Sequence, residues 1–211
     1  MTPSLELTAA AALFDMDGTL VDSTAVVEAL WTRFCVEHGV DVETLLDFSH
    51  GRRTPDIVER FLPRASRADR GAVVAALEGR ELEVMDGIVE IAGAAALLTT
   101  LSVPWAVVTS APRELAVRRM LAAGLPLPEV LGPADDLAHG KPHPEGYLRA
   151  AELLGVEAQL CVAFEDAEPG VRSALDAGVR VVVVGGLDAD LTTGLDRTTD
   201  LRGVRVLPGH W

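Results

Sequence analysis

Apolar residues fall along this chain in two rhythms. Strand-like apolar runs occur at 9–14, 103–109, 160–164 and 179–184, and helix-spaced apolar patterns occur at 88–101, 111–124, 144–155 and 169–178. Strands that alternate with helices of ten to fifteen residues build βαβ units and a mainly parallel sheet. Continuous apolar runs, as opposed to alternating ones, belong to strands with helices on both faces. The stretch 22–85 breaks the alternation. It has no convincing strand and carries helical patterns at 25–38, 44–48, 55–61 and 67–83. A helical block in that place reads as an insertion and not as a single crossover helix, so the pattern predicts an α/β core from 1–21 and 86–211 with an α-helical unit at 22–85.

Composition narrows this picture. A chain of 211 residues suits one α/β domain, or a medium domain with a small insertion. It is 49% hydrophobic but 4% aromatic, so the predicted core is Ala, Val and Leu. A formal net charge of −14 argues against nucleic acid or an anionic membrane as the main partner, since both need a basic face. An anionic substrate must then bind where local cations override the overall field. Cys35 and Cys161 do not read as a disulfide pair, and Cys161, within "LCVAF", reads as a small core residue. "MTPSLELT" has no basic start or long apolar run, and no run reaches membrane-spanning length, so a cytoplasmic chain is expected. "VVVVGGLDADLTTG" lacks the G-x-G-x-x-G spacing of a dinucleotide loop.

The chemistry gathers at strand ends, where open parallel sheets bind ligands. The first strand runs into Asp15 and Asp17, the second into Thr109 and Ser110, and "LCVAF" into Glu165 and Asp166. If Asp15 and Asp17 alternate along a strand they share a face about 7 Å apart, and two anions so close need a cation, a proton or solvent between them. Of 18 basic residues only Lys141, in "GKPHP", is not arginine. A compact ammonium suits converging oxygens where a planar guanidinium does not. Carboxylates from two strand ends make a hard oxygen site suited to Mg²⁺. A carboxylate can attack phosphorus, and a second acid can protonate the leaving oxygen and later activate water. Hydroxyls and helix-start N–H groups cradle a phosphoryl group, and a lysine offsets the repulsion between nucleophile and phosphate.

The stretches "DMDGTLVDS", "VVTSA", "GKPHPEGYL" and "FEDAEPG" together resemble the four ordered motifs of the haloacid dehalogenase-like phosphatase superfamily, over roughly 9–186. The resemblance implies a Rossmann-like parallel sheet core with an inserted α-helical cap. It implies Asp15 as nucleophile and Asp17 as general acid/base, with the Asp17 carbonyl reaching Mg²⁺. Thr109 and Ser110 would hold the phosphoryl group, and Lys141 would steady it. Asp166 would ligate Mg²⁺ directly, Glu165 directly or through water, and Gly18 and Thr19 would shape the phosphate pocket. The cap stretch "GRRTPDIVERFLP" is similar to caps of sugar- and polyol-phosphate phosphatases. Arg52 and Arg53 are the candidates there for substrate recognition, against the plainer reading of a solvated pair at a helix start.

True dehalogenases lack the second aspartate, so Asp17 points to phosphoryl transfer. The related β-phosphoglucomutases carry a histidine in the first cap helix, whereas "DSTAVVEALW" has Val26 and Val27 there. Hydrolysis of a small sugar or polyol phosphate through an aspartyl-phosphate is therefore expected. A sugar-phosphate mutase and a non-catalytic phosphometabolite-binding protein are the alternatives. "FEDAEPG" departs from the commoner "EDSPAG"-like form but keeps both acids. His50 is a candidate for facing substrate, His143 reads first as a turn residue, and His38, His139 and His210 have no inferred partner. No Cys/His spacing reads as zinc. The expected partner is a small phosphorylated metabolite, and the expected state is a monomer or weak homodimer.

Overall fold

The computed structural model describes residues 5–209, so the outer ends of the expected core segments, 1–4 and 210–211, and with them His210, lie outside the described residues. The chain opens with β1 (Leu5–Ala9) and β2 (Ala11–Phe14). A short β3 (Val21–Asp22) leads into α1 (Thr24–His38), α2 (Val42–Ser49), α3 (Thr54–Phe61) and α4 (Arg67–Glu83), and β4 (Val89–Glu90) leads out again. Strands and helices then alternate through α5 (Ala94–Thr100), β5 (Trp105–Val108), α6 (Arg113–Ala122), β6 (Val130–Gly132), α7 (Glu145–Leu153), β7 (Cys161–Glu165), α8 (Glu168–Asp176) and β8 (Arg180–Val184). Two further strands, β9 (Asp196–Thr198) and β10 (Val204–Pro208), close the described chain.

Among the described residues, six strands form one parallel sheet in the order β6-β5-β2-β7-β8-β9. The expected mixed α/β fold with a parallel sheet is borne out. The continuous apolar runs occupy the central strands because both of their faces are covered. Ala12, Phe14, Val107, Val162 and Phe164 face a cluster with Leu97, Leu98, Leu115 and Met120 of α5 and α6. Ala11, Leu13, Ala106, Val108 and Ala163 face the opposite cluster with Tyr147, Ala150, Val171 and Ala174 of α7 and α8. Phe14 and Phe164 stack at 4.8 Å at the centre of the first cluster, where truncating either to Ala costs about 3–5 kcal/mol.

The expected strand 9–14 divides at Ala10, and β1 leaves to pair with β10 in a separate ribbon. The expected helix 88–101 starts only at Ala94, because residues 89–90 already pair with β3 and Gly93 takes a φ of 91°. A Cβ at Gly93 would lie 2.5 Å from the Arg202 amide nitrogen, so the bend admits no side chain. The helices α1 to α4 bury an apolar cluster of their own, including Trp31, Phe34, Leu45, Ile57, Val58 and Leu77. The chain enters and leaves this block through the antiparallel β3–β4 ladder, Val21 opposite Glu90 and Asp22 opposite Val89. No helix among the described residues is long and apolar enough to cross a membrane.

Sheet register positions the polar strand ends. Phe14 pairs with Val107 on one side and Phe164 on the other. Asp15 is thereby level with Val108 and Glu165, and Thr109 and Asp166 follow one residue later.

Candidate active site

The strand ends at Phe14, so Asp15 and Asp17 do not alternate along it as the sequence suggested; they lie in the turn beyond, and each takes different partners. The Asp15 amide still donates to the Phe164 carbonyl (3.0 Å), which keeps Asp15 in line with β2. Its Oδ1 accepts from the buried Lys141 ammonium, which also donates to Glu165 Oε1 at 2.7 Å. The Tyr147 hydroxyl donates to that same Glu165 oxygen. Asp17, half-buried, accepts from the Ser23 hydroxyl (2.6 Å) and from Arg119 (2.9 Å).

Between them, Gly18 turns the chain with a φ of 85° and donates to the Val21 carbonyl at 2.8 Å. A Cβ at Gly18 would sit 2.0 Å from Asp166 Oδ2, so the turn and the Asp166 carboxylate share one space that only glycine leaves open. The Thr19 hydroxyl donates to Asp166 Oδ1 (3.1 Å).

Three carboxylates thus surround one ammonium. Asp15, Glu165 and Asp166 each place an oxygen within 4.8 Å of the others. Burial pushes Asp15 up to about 7, with Lys141 opposing and Glu165 and Asp17 adding to the rise. Burial, and then the neighbouring Asp15, pushes Asp166 up to about 7 as well. Burial likewise raises Glu165. For Lys141 burial disfavours the charge, but Asp15 and Glu165 outweigh it and hold the ammonium above its usual range. Negative charge exceeds positive in this buried group, the donors are all oxygen, and Glu165 Oε2 is buried with no hydrogen-bond partner among the described residues. These features fit a hard divalent cation.

A cavity of about 170 Å³ opens in front of this cluster. Asp15, Asp17, Gly18, Thr109, Ser110, Arg119 and Asp166 line its floor, and Val27, Glu28, Trp31, His50, Arg52 and Glu81 of the helical block line its roof. The Thr109 hydroxyl accepts from the Ala111 amide (3.0 Å), while the Ser110 hydroxyl donates across to the Gly51 carbonyl (2.8 Å). Arg52 lies with its guanidinium carbon 4.3 Å over the Phe48 ring, and its Nε is buried without a hydrogen-bond partner among the described residues.

Not every candidate reaches the cavity. Arg53 pairs with Asp56 (2.9 Å) at the start of α3 and lines a separate small space beside Lys141, so the two adjacent arginines point apart. Glu165 and Lys141 lie behind Asp15, outside the lining of the large cavity. Thr19 is fully buried and meets the cavity only through Asp166.

Sequence reasoning passed over three contributors. Arg119 forks between Asp17 (2.9 Å) and Glu81 (2.8 Å), tying α6 to the turn after β2 and to α4. Burial would lower its pKa, but Asp17 and Glu81 outweigh it and raise it. Its signal was position: Arg119 stands in the buried register of α6 with Leu115, Ala116 and Met120. Tyr147 is the single tyrosine of the chain, a rarity comparable to that of Lys141. Ser23 lies inside a quoted motif, but its contact with Asp17 depends on how the turn folds back.

Residues 9–178 match the family described as haloacid dehalogenase-like hydrolase. The chain is 43% identical over 175 residues to hexitol phosphatase A of Escherichia coli (strain K12), covering 82% of this chain and 81% of that protein. It is 35% identical over 197 residues to 2-deoxyglucose-6-phosphate phosphatase 1 of Saccharomyces cerevisiae, covering 84% and 80%. In fold it is similar to a β-phosphoglucomutase from Clostridium difficile, with a TM-score of 0.82 at 20% identity over 92% of each chain.

Proposed function

The chain belongs to the haloacid dehalogenase-like hydrolase family, and we propose that it is a phosphatase that hydrolyses a small sugar or polyol phosphate through an aspartyl-phosphate on Asp15. The observation that carries this reading is the shared cavity. Two acids, two hydroxyls and Asp166 from three adjacent strand ends line one space of about 170 Å³, with Lys141 bonded to Asp15 behind it. Relatives named hexitol phosphatase and 2-deoxyglucose-6-phosphate phosphatase support the substrate class.

In this reading an Asp15 carboxylate oxygen attacks phosphorus as the P–O bond to the leaving alcohol breaks, and Asp17 gives that oxygen its proton. Asp17 then takes a proton from water, which attacks the aspartyl-phosphate, releases inorganic phosphate and restores the Asp15 carboxylate. Arg119 and Ser23 hold the Asp17 carboxylate in place for both transfers. Thr109 and Ser110 hold the phosphoryl oxygens, and Gly18 and Thr19 keep Asp166 in position. Lys141 offsets the charge that gathers on Asp15 and the phosphoryl group. Asp15, Asp166 and the Asp17 carbonyl would hold Mg²⁺, with Glu165 taking part directly or through water, and the ion would supply positive charge against the phosphoryl oxygens.

We assign α1 to α4, within 22–85, as a cap domain over a core of 1–21 and 86–211. Its separate apolar cluster and the single β3–β4 ladder support that division. A closed cap excludes water and presents specificity groups to the part of the substrate beyond phosphorus. Arg52 is placed for that task from the cavity roof, and Arg53 is not. The sugar-phosphate mutase alternative finds Val27, Glu28 and Trp31 on the cavity side of α1, with no histidine among the lining residues of that helix. A small charged metabolite and a net charge of −14 are consistent with a cytoplasmic enzyme.

The test is phosphate release from a panel of phosphorylated sugars and polyols in Mg²⁺. Release with simple Michaelis kinetics that a chelator abolishes is expected. Sugar-phosphate isomer formation in place of free phosphate would favour the mutase, and binding without either product would favour a non-catalytic protein.

A further inference from the structure

Sequence spacing gave no zinc site and no partner for His139, yet the loop that carries Lys141 folds so that two imidazoles and a carboxylate meet outside the cavity. His139 Nδ1 lies 3.0 Å from Glu145 Oε2, and His143 Nδ1 lies 3.9 Å from the same oxygen. The two rings stack with centroids 4.4 Å apart. The three side chains offer ligand atoms that all lie within 4.8 Å of one another. We propose that His139, His143 and Glu145 form a second metal site, selective for a borderline transition cation such as Zn²⁺, on the loop that positions Lys141.

The geometry is close to what such an ion requires. Ligands at about 2.1 Å on a tetrahedron stand roughly 3.4 Å apart, and the two nitrogen–oxygen separations of 3.0 and 3.9 Å straddle that edge. The Glu145 amide donates to His143 Nδ1 over a long 3.3 Å, which places a lone pair on that nitrogen and leaves it easily redirected to a cation. Glu145 is already fixed in place: its two oxygens accept from the Ala138 and His139 amides at 2.9 Å each. Those bonds hold the carboxylate ionised, down to about 2. Both imidazoles are exposed, so water can complete the coordination. Imidazole nitrogens suit Zn²⁺, Ni²⁺ or Cu²⁺, whereas Mg²⁺ takes oxygen. A cation held by these three side chains ties both ends of the segment 139–143, which carries Lys141, to the first turn of α7 and thereby restrains the lysine that grips Asp15.

The test is calorimetric titration of the full chain with Zn²⁺ in excess Mg²⁺, beside the His139→Ala/His143→Ala double variant. The wild type is expected to take up one equivalent of Zn²⁺ more than the double variant, and Glu145→Gln is expected to weaken that uptake. Equal Zn²⁺ uptake by wild type and double variant, including none by either, overturns the proposal. Should the double variant fail to fold, imidazole NMR of the wild type decides: Zn²⁺ shifts the His139 and His143 rings if the site exists. Shifts confined to other histidines, or none at all, overturn it.

Discussion

Gly18 shows how much one backbone position can determine. Its φ of 85° is closed to most side chains, and the volume a Cβ needs is taken by Asp166, 2.0 Å away. Gly18→Ala is therefore expected to lose about 1–2 kcal/mol from the left-handed backbone alone, and to lose Mg²⁺ affinity through displaced Asp166. Calorimetry of unfolding and of Mg²⁺ binding separates the two effects; a fall in stability with unchanged Mg²⁺ affinity would contradict the assignment of Asp166 as a ligand. Arg119 is the second such residue. It is buried between Asp17 and Glu81, so removing it leaves two carboxylates facing each other without their cation. Arg119→Met is expected to cost about 3–5 kcal/mol in denaturant unfolding, whereas replacing an exposed arginine such as Arg33, paired with Glu37 on α1, should cost less than ~1 kcal/mol.

At the level of elements, α7 shows how a helix start organises the loop before it. Glu145, its first residue, accepts from the Ala138 and His139 amides, and those bonds push its carboxyl down to about 2 from an ordinary 4.5. A depressed folded value means that the stabilisation is complete above about 4.5 and is lost as pH falls toward 2. Melting temperatures measured across that window are expected to fall more steeply for the wild type than for Glu145→Gln, and equal slopes would contradict the role of those two bonds. The strands differ in how plainly they can be read. β2, β5, β7 and β8 stand out because helices cover both faces and every position is apolar, apart from Glu165 at the end of β7 and the exposed Arg180 at the start of β8. The edge strands β6 and β9 have three residues each and no apolar run, so their pairing depends on a neighbour that local pattern does not reveal.

Across the whole molecule, the legible part of the site was the part encoded by order and rarity. Asp15, Thr109 and Asp166 follow directly on apolar strands, and Lys141 is the one lysine among 18 basic residues. What local pattern hides is the contact between separate segments. Arg119 reaches Asp17 across 102 positions, which depends on how α6 packs beside β2, and Ser110 reaches Gly51 across 59, which depends on how the helical block settles over the sheet. Arg52 and Arg53 are neighbours in sequence, yet the start of α3 sends one over Phe48 and the other to Asp56. The molecule carries a net charge of −14 and still places Arg119 and Arg52 on one cavity, with Lys141 bonded to Asp15 behind it, which is what an anionic substrate requires.

The most direct measurement is rapid-quench single turnover with a substrate labelled in its phosphate, followed by peptide mapping of the protein. Transient label on the peptide that contains Asp15 is expected, with Asp15→Asn unlabelled and slower by roughly four orders of magnitude or more. Turnover without label on Asp15, or undiminished phosphate release by Asp15→Asn, would contradict the account.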